Sequence, residues 1–137
     1  MAECARRLGR VGEASAFEAS AKRLRTQFES AFWDEALGTY VLALDGDKKP
    51  CRVRSSNAGH TLFTGIASAA RAQRTGDTLL GSAFFSGWGV RTLAAGEARY
   101  NLISYHNGSI WPHDNALVAA GLRRYGMGAR LVPIFEA

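Results

Sequence analysis

Apolar residues at Ala14, Phe17, Ala21, Leu24, Phe28 and Phe32 recur every three or four positions with charges between them. This spacing predicts an amphipathic helix over about 13–34, ending near Gly38. Two short extended-compatible runs follow, Tyr40 to Asp45 and Cys51 to Ser55, separated by Gly46, Asp47 and Pro50. They predict one small hairpin. A second helix is expected to start at Ser56 or Asn57, either of which can cap it. It should run through Leu62, Phe63, Ile66, Ala69 and Ala70 to about Arg74 and close at Gly76. Asp77 to Phe85 reads as a short third helix. Ser86 to Leu93 reads as a loop with a short extended or helical piece, and Ala94 to His106 as irregular. Pro112 suits the first position of a fourth helix, because its missing N–H costs nothing there and its φ is preset. Leu117, Ala120 and Gly121 mark its packed face, and Gly126 and Gly128 its end. A further helical pattern at Leu131, Ile134 and Phe135 is only one or two turns old at Ala137, which reads as truncation. The expected fold class is mostly α with one small β-hairpin, in a single domain over 1–137.

Composition changes this picture little. With 47% hydrophobic and 21% charged residues, the chain falls among ordinary globular proteins. No apolar run approaches the roughly 20 residues of a membrane helix, so no membrane partner is expected. The basic N-terminus has no apolar stretch behind it, so no secretory signal is expected and a cytoplasmic location is the default. The net charge of +5 raises the question of nucleic acid. However, the basic residues are scattered over Arg6, Arg7, Arg10, Lys22, Arg23, Arg25, Arg71, Arg74, Arg123 and Arg124. None forms a stripe interleaved with aromatics, so no nucleic-acid partner is expected. Cys4 and Cys51 fit no metal spacing and read as free thiols.

The chemistry is concentrated between Tyr100 and Asn115. Within sixteen residues the chain places Tyr100, Asn101, Tyr105, His106, Asn107, Trp111, His113, Asp114 and Asn115. A carbohydrate pocket needs this mixture, with rings to stack on a pyranose and polar side chains for its hydroxyls. Gly108 would let the backbone bend close to a ligand, and the helix start after Pro112 would aim unpaired N–H groups forward. The plainer alternative is an aromatic loop that only covers a core. Trp111 reads as the stacking platform or as a buried core indole. Asp114 is the only acid of the segment, in a first turn where the helix dipole stabilises negative charge. That suits hydroxyl binding, site orientation or helix capping better than general acid catalysis. His106 and His113 read as hydroxyl partners, since nothing completes a metal site. Asp34 and Glu35 read as solvated.

The run SYHNGSIWPHDNALVAAGLRRYG resembles a segment of bacterial glycogen-debranching proteins of the amylo-α-1,6-glucosidase type. Three upstream pieces match in the same order: FWDEALGTYVLALDGDKKPCRVRSSNAGHTLFTGIA, SGWGVRTLA and RYNLISYHNGS. The resemblance covers roughly Phe32 to Gly126. It implies a catalytic domain that is an (α/α)6 toroid of helical hairpins, of which this chain supplies only the C-terminal part. It also implies an α-glucan or oligosaccharide partner and no cofactor or metal. The substrate-binding residues would be Trp88, Tyr105, His106, Asn107, Trp111, His113 and Asp114, with His60 and Arg91 lining the pocket. The family's general acid lies upstream of the matched region, and its base lies in a Leu-Pro-Glu-Leu type motif downstream. Neither motif is present, and Glu136 in VPIFEA, which by the resemblance falls on the outer helix before the base motif, is not assigned that role. No catalytic residue is therefore assigned, and the chain is expected to be inactive alone. The alternative is a small helical sugar- or protein-binding module. It would self-associate through exposed inner faces at Leu62, Phe63, Ile66, Leu117 and Ala120.

Overall fold

The computed structural model describes residues 1–132, and the expected pattern at Ile134 and Phe135, with Glu136, lies outside them. The chain divides into two compact units, Met1–Ala31 and Phe32 onward. That boundary coincides with the start of the resemblance drawn from the sequence.

In the first unit, α1 (Ala2–Arg7) is joined by a turn at Gly9 to α2 (Val11–Phe32), which runs into the second unit. Helix α1 has no counterpart in the sequence reading, because six residues are too few to show a period. Its Glu3 binds Arg6 and Arg7 one turn on, and Arg6 also pairs with Glu18 of α2. Ala5 and Ala14 are buried, whereas Ala21 and Leu24 of the predicted apolar stripe are exposed.

The second unit opens with two antiparallel strand pairs where the sequence suggested one hairpin. Strand β1 (Trp33–Asp34) pairs with β2 (Thr39–Tyr40), and β3 (Ala43–Leu44) with β4 (Pro50–Cys51). Asp34 is buried rather than solvated. Its Oδ1 accepts the N–H groups of Ala36 and Leu37, both at 3.0 Å. Its Oδ2 accepts the Arg52 Nε proton at 2.7 Å. The Leu37 N–H, then Arg52 and the Ala36 N–H, hold its carboxyl below the usual aspartate range against the opposing effect of burial. Glu35 is held low in the same way, by the Trp33 indole and then Arg74. Arg71 and Arg74 lie on the Trp33 ring at 4.9 and 5.0 Å, a cation–π pairing that ties this turn to the helix carrying both arginines.

The expected long second helix is in fact two, α3 (Ala58–Thr64) and α4 (Ala69–Leu80). Gly65 ends α3 in the left-handed region at φ +74°, which the apolar period running through Ile66 conceals. The predicted third helix is only the tail of α4. Gly76, expected as a terminator, lies inside α4 on a buried face with Ala72, Thr75 and Leu79. Helix α5 (Pro112–Arg124) begins as expected, with Pro112 at its first position, and a short 3-10 turn follows at Gly128–Leu131. Its packed face is turned from the expected one. Asp114, Asn115, Val118, Ala119, Gly121 and Leu122 are buried, while Ala120 is exposed.

Helices α3 and α5 cross in close contact because each presents a glycine. A Cβ on Gly59 would stand 2.5 Å from Val118 Cγ2, and one on Gly121 would stand 2.6 Å from the Phe63 backbone nitrogen. Leu62, Leu79, Val118 and Leu122 fill the core beside this crossing. Leu62 is therefore fully buried, which removes it from the surface proposed for self-association. Phe63 remains 44% exposed.

This packing makes two variants informative. Gly121→Ala gains up to about 1 kcal/mol of helix propensity but overpacks against backbone. It should show a net loss of about 1–3 kcal/mol in urea unfolding, whereas Gly128→Ala, with open space around it, should stay within about 0.5 kcal/mol. Asp34 stabilises the fold above the ordinary aspartate value of about 3.9, and this contribution is lost as pH falls through its lowered native value. The stability gap between wild type and Asp34→Asn should therefore be present at neutral pH and close in acid. A gap that persists at low pH would contradict the ion-pair account.

Candidate sugar-binding site

Three short segments lie side by side beneath the site. Ser55 bridges Leu93, and Arg91 bridges Ile110, both antiparallel. The ladder continues through Ser56 N–H to the Thr92 carbonyl at 3.1 Å and Ala94 N–H to Arg54 at 3.1 Å. Thr92 N–H donates to Ser109 at 2.9 Å, and the Gly108 N–H donates to Thr92 Oγ1 at 3.0 Å. The first segment leads into α3 and the third into α5. The chain thus brings the starts of both helices to one edge of a miniature sheet.

At that edge is a groove of about 350 Å³, lined by Leu42, Ser55, Ser56, Asn57, His60, Thr92, Leu93, His106, Asn107, Trp111, His113 and Asp114. Trp111 is its aromatic centre. The ring stacks on His113 at 5.3 Å and 26° and meets His106 edge-on at 5.4 Å. Its indole N–H donates to the Tyr105 carbonyl at 3.1 Å. His60 Nε2 lies 2.7 Å from Asp114 Oδ1. The Asp114 side chain is 8% exposed, that of His60 44%.

Asn115 fixes the start of α5. Its Oδ1 accepts the Val90 N–H at 2.7 Å, and its Nδ2 donates to the Val90 carbonyl at 3.0 Å and to Trp111 at 3.0 Å. A side-chain amide here takes the place of a strand partner. Sequence reasoning placed Asn115 in the polar segment without seeing this role, since a partner that is pure backbone leaves no mark on the sequence.

Of the expected site residues, His60, His106, Asn107, Trp111, His113 and Asp114 come together on the groove. Tyr105 does not line it. It is 70% exposed and packs behind Trp111 at 5.1 Å. Trp88 is 75% exposed and also stands outside the lining. Arg91 is half-buried, donates from Nη1 to the Phe84 carbonyl at 3.2 Å, and contributes its backbone to the ladder. Gly108 serves the protein rather than a ligand, because a Cβ there would meet the Asn101 carbonyl at 2.8 Å. Ser55, Ser56, Asn57, Thr92, Leu93 and Leu42 line the groove but were not expected there. Only Ser56 and Asn57, the candidate caps of the helix that follows, carried a signal.

Asp114 is the single carboxylate on the groove lining. The carboxyls of Asp34 and Glu35, on the β1–β2 turn, are held low, opposite to what a general acid needs. Among the described residues, no group of three or more His, Cys, Asp or Glu side chains is placed to hold a metal ion. No described helix is long and apolar enough to cross a membrane.

The model of one family, described as the mannosylglycerate hydrolase MGH1-like glycoside hydrolase domain, matches residues 1–136. The chain belongs to this family. A similar solved structure is the GH63 mannosylglycerate hydrolase from Thermus thermophilus in complex with Tris. It is 24% identical to this MGH1-like chain, with a TM-score of 0.69 over 78% of the chain. The match spans 26% of that structure, so this MGH1-like chain corresponds to about a quarter of its length. The likeness extends to the helices and their arrangement, which are those of part of a helical toroid. No curated protein matches. The chain is thus part of a glycoside hydrolase domain of the six-hairpin type, and the resemblance drawn from the sequence holds at that level.

The Asn115 clamp can be tested directly. Asn115→Ala strands the Val90 N–H and C=O, at about 1–3 kcal/mol for each group left unpaired. The Val90 amide, which this bond should protect in the wild type, should then exchange rapidly with deuterium. Continued protection would show that the clamp does not hold the loop.

Proposed function

We propose that the chain forms part of the glycone pocket of a glycoside hydrolase, binding a hexose residue without the means to hydrolyse it alone. The observation that carries this reading is the groove itself. One indole and three imidazoles surround a space of about 350 Å³ with a single, largely buried carboxylate. Trp111 offers the face for the apolar side of a pyranose, and His106, Asn107, His113 and His60 offer partners for its hydroxyls. Inverting hydrolysis requires two carboxyl groups about 6.5–9.5 Å apart, and this lining provides one. The acid and base would come from other parts of a complete toroid.

The family match favours a mannosyl unit linked to glycerate as the first substrate to test. The segment around SYHNGSIWPHDN favours an α-1,6-branched glucan as the second. Calorimetric titration of the chain with mannosylglycerate and with isomaltose discriminates between them. Wild type should bind one of the two and Trp111→Ala neither. Unchanged affinity in the variant would remove Trp111 from the pocket, and turnover by the isolated chain would refute the claim that it lacks the catalytic pair. A second reading, self-association through an exposed helix face, rests on the exposure of Phe63. A clean monomer by light scattering would count against it.

A further inference from the structure

The His60–Asp114 pair has a direction that its position in the groove does not by itself explain. Asp114 is almost wholly enclosed, with its side chain 8% exposed, whereas that of His60 is 44% exposed. The two residues come from different helices, 54 positions apart. The contact lies at the end of the α3–α5 crossing, next to Gly59 and one turn from Val118, where the packing leaves little freedom for either backbone. A carboxylate can only accept hydrogen bonds, so the imidazole nitrogen facing it, Nε2, must carry the proton. In the neutral ring this leaves Nδ1 as a bare acceptor. Nδ1 has no hydrogen-bond partner among the described residues, and the ring lines the groove. The other titratable groups on the lining are His106 and His113, and both lie against the Trp111 ring rather than in contact with Asp114.

We propose that Asp114 is a positioning residue that never touches the sugar: it fixes His60 as the Nε2–H tautomer, so that His60 Nδ1 accepts a hydrogen from one hydroxyl of the bound glycone. This rests on the sugar-pocket reading and sharpens it, since it reassigns Asp114 from hydroxyl ligand to orienting group. It also gives His60 a defined chemical polarity. The groove then recognises a ligand that donates at this point and disfavours one that presents only an acceptor there, such as an O-methylated sugar.

Two substitutions separate this role from a purely structural one. Gln approximates the position of Nε2, so His60→Gln can keep the contact with Asp114 while losing the acceptor at Nδ1. Asn approximates the position of Nδ1, so His60→Asn keeps an acceptor there and abandons Asp114. Calorimetric titration of the full 137-residue chain with methyl α-D-mannopyranoside and with maltose is the readout. His60→Gln is expected to bind at least about tenfold more weakly than wild type, the loss of one well-made hydrogen bond, and His60→Asn to bind more tightly than His60→Gln. The reverse order would overturn the proposal, because it would mean that satisfying Asp114 is all that His60 does. Nitrogen-15 spectra of the imidazole ring provide a second, independent measurement. The proton should sit on Nε2 in the wild type and redistribute in Asp114→Asn and Asp114→Ala. A wild-type proton on Nδ1, or a tautomer unchanged in both variants, overturns the assignment even if no sugar binds. Absence of any sugar binding by the wild type would instead refute the pocket reading, with the ring spectra still deciding the tautomer. Sugar binding that leaves Nδ1 unshifted refutes the acceptor role and spares the pocket.

Discussion

The close crossing of α3 and α5 is the constraint on which the site depends. Two glycines, Gly59 and Gly121, bring the helices within a distance that no side chain at those positions would permit. His60 follows Gly59 directly, and Asp114 lies one turn before Val118, the residue packed against Gly59. The same contact that closes the core therefore sets the 2.7 Å separation of the polar pair at the groove. Packing energy and site geometry are here one quantity, and loosening one loosens the other.

The miniature sheet contributes in a different way. Its three segments share a few bridges and hydrogen bonds rather than long strands, so their alignment leans on side chains that imitate backbone. Asn115 bonds both polar groups of Val90, and the Thr92 hydroxyl accepts from Gly108. Such substitutions let an irregular loop satisfy its buried polar groups while leaving the lining side chains free to face a ligand. Function-bearing loops on a rigid helical base are the usual outcome of this division.

Much of this was legible in the sequence, for identifiable reasons. Pro112 marked the start of α5 because its ring tolerates so few helical positions, and the density of aromatic and amide residues before it marked the groove. The break at Gly65 was hidden because an apolar repeat continues across a residue whose backbone has already turned. Strands of two residues cannot show an alternation, so the first pair was missed. Asp34 looked solvated because an acid beside a turn usually is, while here it binds two backbone N–H groups and Arg52. Trp88 and Arg91 were expected on the groove by resemblance, and the described residues place them elsewhere.

The 54-residue separation of His60 and Asp114 also bears on how the molecule is made. Local helices can form early, but the groove exists only after a long loop has closed and the ladder between its ends has aligned. Closure of this kind carries an entropic cost before any contact compensates it, and non-local pairings slow folding. The groove should accordingly be among the last parts of the second unit to take shape. Chains caught short of it would expose the apolar faces of α3 and α5 to one another, an invitation to aggregation during synthesis rather than in the finished protein.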